Sequence, residues 1–219
     1  MTARQTYGLA PHTLSGDFMN TQDTALILIG FQNDYFADDG ILKGFIDESA
    51  QETQVLANSL SLVERAAQSD LMMIQTPILF RDDYSELGQP VGILRAIKEV
   101  GAFKRSGPGG AVIDQLKAYG ERIQTVPGKH GLNAFSNTEL ENTLRDRGVT
   151  NIILAGAVTS ICIDSTGRSA HEKGFNVFVL DDCTCGRTQM EQEFYCEQVL
   201  PLYAEVLSSS DVLGSLSIS

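Results

Sequence analysis

Basic residues are scarce in this chain. It carries 16 lysines and arginines against 28 aspartates and glutamates, a formal net charge of −12. An acidic surface repels phosphate backbones and anionic headgroups, so neither nucleic acid nor a membrane is expected as a partner. Histidine is scarcer still. Only His12, His130 and His171 occur, too far apart in sequence to form a ligand motif, so no metal and no other cofactor is expected. Cysteine is missing from the first two thirds, leaving Cys162, Cys183, Cys185 and Cys196. They show no framework spacing and no secretory signal precedes them, which argues for reduced thiols in a cytoplasmic protein. Cys183 and Cys185 are two apart, without the two-residue gap of redox and zinc motifs. No apolar run is long enough to span a bilayer.

What is present fits one α/β domain. The chain has 219 residues, 42% of them hydrophobic, enough to bury a full core. Residues 1–23 are polar and without a periodic face and read as an N-terminal arm, leaving residues 24–219 as the domain. Apolar runs at Ala25–Ile29, Leu71–Ile74, Ile152–Ala155, Val177–Leu180 and Ala204–Leu207, with a weaker one at Arg122–Val126, read as strands buried on both faces. Helical spacing predicts helices over Gln51–Gln68, Ala111–Tyr119, Thr138–Arg147, Ser160–Lys173 and Gln189–Leu202, with Ser136 or Asn137 capping the third. Strand, helix, strand in repetition implies a doubly wound, three-layer α/β/α parallel sheet, with the ligand site beyond the carboxyl ends of the strands.

Three strand ends carry unusual residues. The stretch GAVTSIC, Gly156–Cys162, is a strand end, a small-residue turn and a cysteine at a helix start. Backbone N–H groups and the helix dipole there favour a thiolate and can hold an oxyanion. Taken alone, a single cysteine is more often core; the setting is what points to chemistry. The first run ends in Gly30-Phe31-Gln32-Asn33-Asp34-Tyr35-Phe36, with three aromatics in six residues. The central run leads into Pro127-Gly128-Lys129-His130-Gly131 and on to Phe135. An isolated loop lysine is usually solvated, but facing the crevice Lys129 would favour the thiolate and stabilise charge on a substrate.

At these residues the chain resembles the isochorismatase-like cysteine hydrolases, a superfamily that includes nicotinamidases and N-carbamoylsarcosine amidohydrolase. ALILIGFQNDYF is similar to the family's first strand and loop, GKHGLNAFSNTEL to its lysine segment, and ILAGAVTSICIDSTGRSAHEKGFNVFVLDD to its nucleophile block. The resemblance implies a sheet of about six parallel strands and a homodimer or homotetramer. It also implies Cys162 as nucleophile, Lys129 as the catalytic lysine, a cis peptide between Ala157 and Val158, and an oxyanion hole from the N–H groups of Val158 and Cys162. It implies an aspartate as proton carrier at the end of the first strand, and there this chain departs: the residue is Gly30. Nicotinamidase-type members carry a carboxylate and histidine cluster after the second strand, where QTPILFRDDYSELGQP holds no histidine. Isochorismatase chemistry, cleavage of a vinyl ether, leans on the missing aspartate and not on the cysteine. The combination found here points to acyl transfer at an amide, carbamoyl or ester carbon through a Cys162 thioester.

Asp34, Asp83 and Glu86 are the carboxylates available to replace the base, although Asp34 reads more simply as a turn or helix-start acid, and Asp83 and Glu86 as solvent-facing. Phe36, Phe135, Asp34, Phe80 and Tyr84 are the expected substrate-pocket residues, while Phe31 reads equally as core. His130 reads more readily as a hydrogen-bonding residue than as pocket lining. Arg81–Gly110 is not regular throughout: Ile93–Phe103 has helical spacing that RSGPGG breaks, and the segment reads as a lid or oligomer contact, or equally as a variable excursion. The competing reading is a catalytically impaired relative that binds a small molecule or a protein partner. A nucleotide-binding Rossmann domain would need a glycine fingerprint that GFQNDYF lacks.

Overall fold

The computed structural model describes residues 19–215. Each apolar run buries side chains on alternate faces of one sheet. The strands are β1 (Thr24–Ile29), β2 (Met72–Gln75), β3 (Gln124–Thr125), β4 (Asn151–Ala157), β5 (Asn176–Cys185) and β6 (Glu205–Leu207). All pairings are parallel, in the order β3-β2-β1-β4-β5-β6. The helices are α1 (Asn33–Phe36), α2 (Lys43–Thr53), α3 (Val55–Ala66), α4 (Gly92–Val100), α5 (Asp114–Lys117), α6 (Leu140–Asp146), α7 (Asp164–Glu172), α8 (Gln189–Phe194) and α9 (Ser209–Ser215).

The pleat sorts side chains into two cores. Leu26, Leu28, Met73, Ile153, Ala155 and Leu180 face α2, α3 and α9 through Ile46, Val55, Leu62, Val63 and Val212. Ala25, Ile27, Ile29, Ile74, Ile152, Leu154 and Val179 face α6 and α7 through Leu140, Leu144 and Ala170. From β1 the chain steps outward through β2 and β3, then crosses back to β4 and steps the other way. The order therefore reverses between β1 and β4, and the crevice at their carboxyl ends is the topological switch point where such sheets take ligands.

Several expected boundaries move. The helix read over Gln51–Gln68 is two helices, broken where Gln54 turns left-handed at φ 54°. Of Ala111–Tyr119 only Asp114–Lys117 is helical, because the Ile113 N–H is spent on the Phe31 carbonyl. Helix α6 starts at Leu140; neither Ser136 nor Asn137 caps it, and the Thr138 hydroxyl accepts from the Leu140 N–H instead. Helix α4 stops at Gly101, at φ 77°, whose N–H and that of Ala102 both return to the Ile97 carbonyl. The run over Gln189–Leu202 is α8, a π-helical turn over Tyr195–Val199 and a 3-10 turn carrying Pro201. Of the expected N-terminal arm, residues 1–18 lie outside the described residues, and Met19 is part of the core.

The segment after β2 is not a loose excursion. Phe80, Tyr84, Ile97, Ala102 and Phe103 are core residues. The Phe80 N–H donates to the Phe103 carbonyl, the Arg105 N–H to the Phe80 carbonyl, and the Tyr84 hydroxyl to the Ala102 carbonyl at 2.6 Å. No helix among the described residues is long and apolar enough to cross a membrane.

Candidate active site

Two strand ends meet at the switch point. After β1, Gly30 adopts φ 77°, and a Cβ built there would lie 2.6 Å from the Ala157 carbonyl oxygen. After β4, the peptide between Ala157 and Val158 is cis. The chain then forms a π-helical turn over Thr159–Ile163 that runs into α7. The Val158 carbonyl accepts from the N–H groups of Ile161 and Ile163, on either side of Cys162. Cys162 thus sits in the first turn of a helical run, 9% exposed, on the core face that holds Ile29, Val126 and Phe135.

Lys129 reaches the same point from the β3 side. Its backbone bridges to Ile78, and its side chain is only 1% exposed. The ammonium lies 3.5 Å from Cys162 Sγ and donates to the Gly131 carbonyl at 2.7 Å. No carboxylate pairs with it among the described residues. Sequence reading placed both residues at strand ends; the sheet brings them into contact.

The other anticipated residues divide. Phe135 shares the Cys162 core cluster and stacks on Phe175, and Phe36 stacks on Phe31 at 5.3 Å with part of its surface open. Phe80 and Tyr84 are core residues: Phe80 is fully buried, packed against Tyr84 and His130, and Tyr84 is nearly so, with its hydroxyl spent on a carbonyl. Asp34 accepts from the Phe103 N–H and packs on Gly109, where an added Cβ would lie 1.9 Å from its Oδ1. It staples the glycine-rich loop and lines a recess of about 250 Å³ with Lys104 and Asn33 that includes neither Cys162 nor Lys129. Burial pushes its carboxyl up, against the pull of the Phe103 amide. Asp83 is exposed, but Glu86 is not solvent-facing as expected, because its carboxylate is turned inward to accept the Arg81 N–H.

Three residues escaped notice. Gln32 clamps the crevice rim, donating to the Ile78 and Gly110 carbonyls at 2.9 and 2.7 Å and accepting from the Ile78 N–H. Tyr35 is buried, its phenol driven well above the usual range first by burial and then by the neighbouring Cys162, Cys185 and Asp34 groups. Gln192 supports the Thr159–Ile163 turn from behind, accepting from the Thr159 hydroxyl at 2.6 Å and donating to the Asp181 carbonyl at 3.0 Å. The adjacent Ser160 hydroxyl donates to Glu191. No local sequence signal marks Gln192, whose burial comes from the packing of α8. Tyr35 was visible within its aromatic cluster, but nothing local told it from Phe36.

The fold is a doubly wound α/β sheet with a cysteine and a lysine in contact at its switch point. Residues 24–211 match the isochorismatase domain, and the chain belongs to the isochorismatase family, within the superfamily of isochorismatase-like cysteine hydrolases. Among its relatives are the uncharacterized isochorismatase family protein YecD of Escherichia coli O157:H7, 28% identical over 200 residues, covering 90% of this chain and 98% of that protein. Another is the ureidoacrylate amidohydrolase RutB of Agrobacterium fabrum, 27% identical over 180 residues, covering 76% and 77%. The crystal structure of a cysteine hydrolase from Pseudomonas syringae pv. phaseolicola superposes with a TM-score of 0.76 at 23% identity, covering 90% and 93%. Among the described residues no group of three or more His, Cys, Asp and Glu side chains could hold a metal ion.

Proposed function

We propose that the chain hydrolyses a small amide, carbamoyl or ester substrate through a thioester on Cys162. The observation that carries this reading is the buried Lys129 ammonium 3.5 Å from Cys162 Sγ at the sheet's switch point. A thiolate there is stabilised by the ammonium and the helix start, and attacks the substrate carbonyl. The oxyanion is received by the N–H groups of Val158 and Cys162. Loss of the amine or alcohol leaves a thioester, which water hydrolyses. Phe36 and Phe135 supply apolar contacts, and the buried Tyr35 hydroxyl a donor. The ureidoacrylate amidohydrolase relatives make ureido acids the first compounds to try.

The test is release of ammonia or amine from a panel of ureido acids, primary amides and carbamoyl compounds, with mass spectrometry for an acyl group on Cys162. Turnover with trapped acyl-Cys162, abolished in Cys162→Ala, is the expected result. Turnover that survives Cys162→Ala would overturn the thioester route. The absence of a carboxylate at Gly30 favours a second reading, binding without turnover, and calorimetric binding of a panel member that is never consumed would be its signature.

A further inference from the structure

We propose that Lys129 carries both proton transfers of the reaction, so that the site works as a Cys162–Lys129 dyad. The inference rests on the thioester reading above. A buried ammonium without an anionic partner costs several kcal/mol. Lys129 is 1% exposed, and its neighbours are a neutral carbonyl, that of Gly131, and Cys162 Sγ. Cys162 Sγ is the group placed to serve as its counter-ion. No side chain can take the place of a carboxylate at position 30 without displacing the Ala157 carbonyl, since a Cβ there lies 2.6 Å from that oxygen. Asp34 is committed to Phe103 and Gly109.

The steps balance with these two groups and water. The thiolate attacks the carbonyl carbon, forming the C–S bond and moving the π pair onto oxygen. The C=O re-forms as the C–N bond breaks, and the departing nitrogen takes a proton from the Lys129 ammonium, leaving a neutral amine on the enzyme. That amine accepts a proton from water as the hydroxide portion adds to the thioester carbon. Collapse breaks the C–S bond and releases the carboxylic acid, the Cys162 thiolate and the Lys129 ammonium.

Arginine separates the roles of this residue, because a guanidinium keeps the positive charge but does not give up its proton. The probe is p-nitrophenyl acetate, whose leaving group needs no proton, used with the full chain, Lys129→Arg and Lys129→Met. The parent is expected to release one equivalent of p-nitrophenolate in a burst, carry acetyl on Cys162, and then turn over. Lys129→Arg should keep the burst within about tenfold but deacylate roughly 10²–10⁴-fold more slowly, the range of general acid–base catalysis. Lys129→Met should lose both, with methylammonium buffer restoring deacylation to acetate and methylguanidinium failing to do so. If Lys129→Arg does not fold, the methylamine and methylguanidinium comparison decides alone. Deacylation by Lys129→Arg within threefold of the parent, or equal rescue by the two cations, would overturn the dyad while leaving the Cys162 nucleophile intact. A parent chain never acetylated on Cys162 would remove the thioester reading and the dyad together.

Discussion

Gly30→Ala tests why this chain has no side chain at the end of β1. Two costs add at that position. The φ of 77° places a non-glycine residue in the left-handed region, at about 1–2 kcal/mol. The Cβ would lie 2.6 Å from the Ala157 carbonyl oxygen, a backbone atom held by the β4–β5 ladder, so the strand end itself must move. Overpacking of that kind costs about 1–3 kcal/mol. The expected destabilisation is therefore about 2–5 kcal/mol, which for a domain of this size lowers the melting temperature by on the order of 10 °C. Thermal unfolding followed by circular dichroism, with urea midpoints as a second probe, reads this directly. Gly30→Asp should be destabilised at least as much. A melting temperature within about 2 °C of the parent would refute the packing argument. It would show that the Ala157 carbonyl yields easily and that a carboxylate at position 30 is sterically open to this chain.

Four further outcomes are expected. Arg122 donates to the Ala66, Ser69 and Leu71 carbonyls at 2.9, 2.7 and 2.7 Å, tying the end of α3 to the start of β2, so Arg122→Ala should cost about 2–3 kcal/mol in a urea titration. Gln192→Leu strands the buried Thr159 hydroxyl, and should cost about 1–3 kcal/mol and slow iodoacetamide labelling of Cys162; labelling at the parental rate would show that the turn holds without this support. Burial pushes the thiols of Cys183, Cys185 and Cys196 up to about 12 each, helped by Asp182 at Cys183 and Asp181 at Cys196, so brief alkylation at pH 8 with peptide mapping should leave all three unmodified. The Asp34 carboxyl is raised above 3.8 by burial, so the folded state binds its proton more tightly than the unfolded chain. Stability must then fall as pH rises through the interval from about 3.8 to the folded value, and Asp181, raised by the same cause, acts with the same sign. Asp34→Asn keeps an acceptor for the Phe103 amide and removes one share of that fall, so its urea midpoint should gain on the parent's over that interval; curves that stay parallel would contradict this.

Sequence alone was enough for the class of fold and for singling out two residues that meet at the switch point. Runs such as Ile152–Ala155 are apolar on both faces, which only a strand covered by helices on each side tolerates, and such strands alternating with helices imply a parallel sheet. Cys162 and Lys129 stood out because each follows a strand, and strand ends collect at one edge of such a sheet whatever the detailed order. Helix lengths were less legible, because their ends depend on backbone conformations such as those of Gln54 and Gly101 and on partners such as the Phe31 carbonyl, distant in sequence.

The fate of individual polar and aromatic residues was decided by the tertiary structure. Phe80 and Tyr84 looked like pocket walls but are sealed by Phe103 and Ala102, residues about twenty positions away. Asp34, which read more simply as a turn acid than as a replacement base, is held by a loop whose glycines approach it closely, and Gln192 became visible only when α8 packed behind the Thr159–Ile163 turn. Periodicity reports which face of an element is apolar, because that depends on neighbours along the chain. Which donor meets which acceptor depends on distances between segments that no local pattern encodes. The 3.5 Å between Lys129 and Cys162, and the carbonyl that closes the space beside Gly30, belong to that second kind of information.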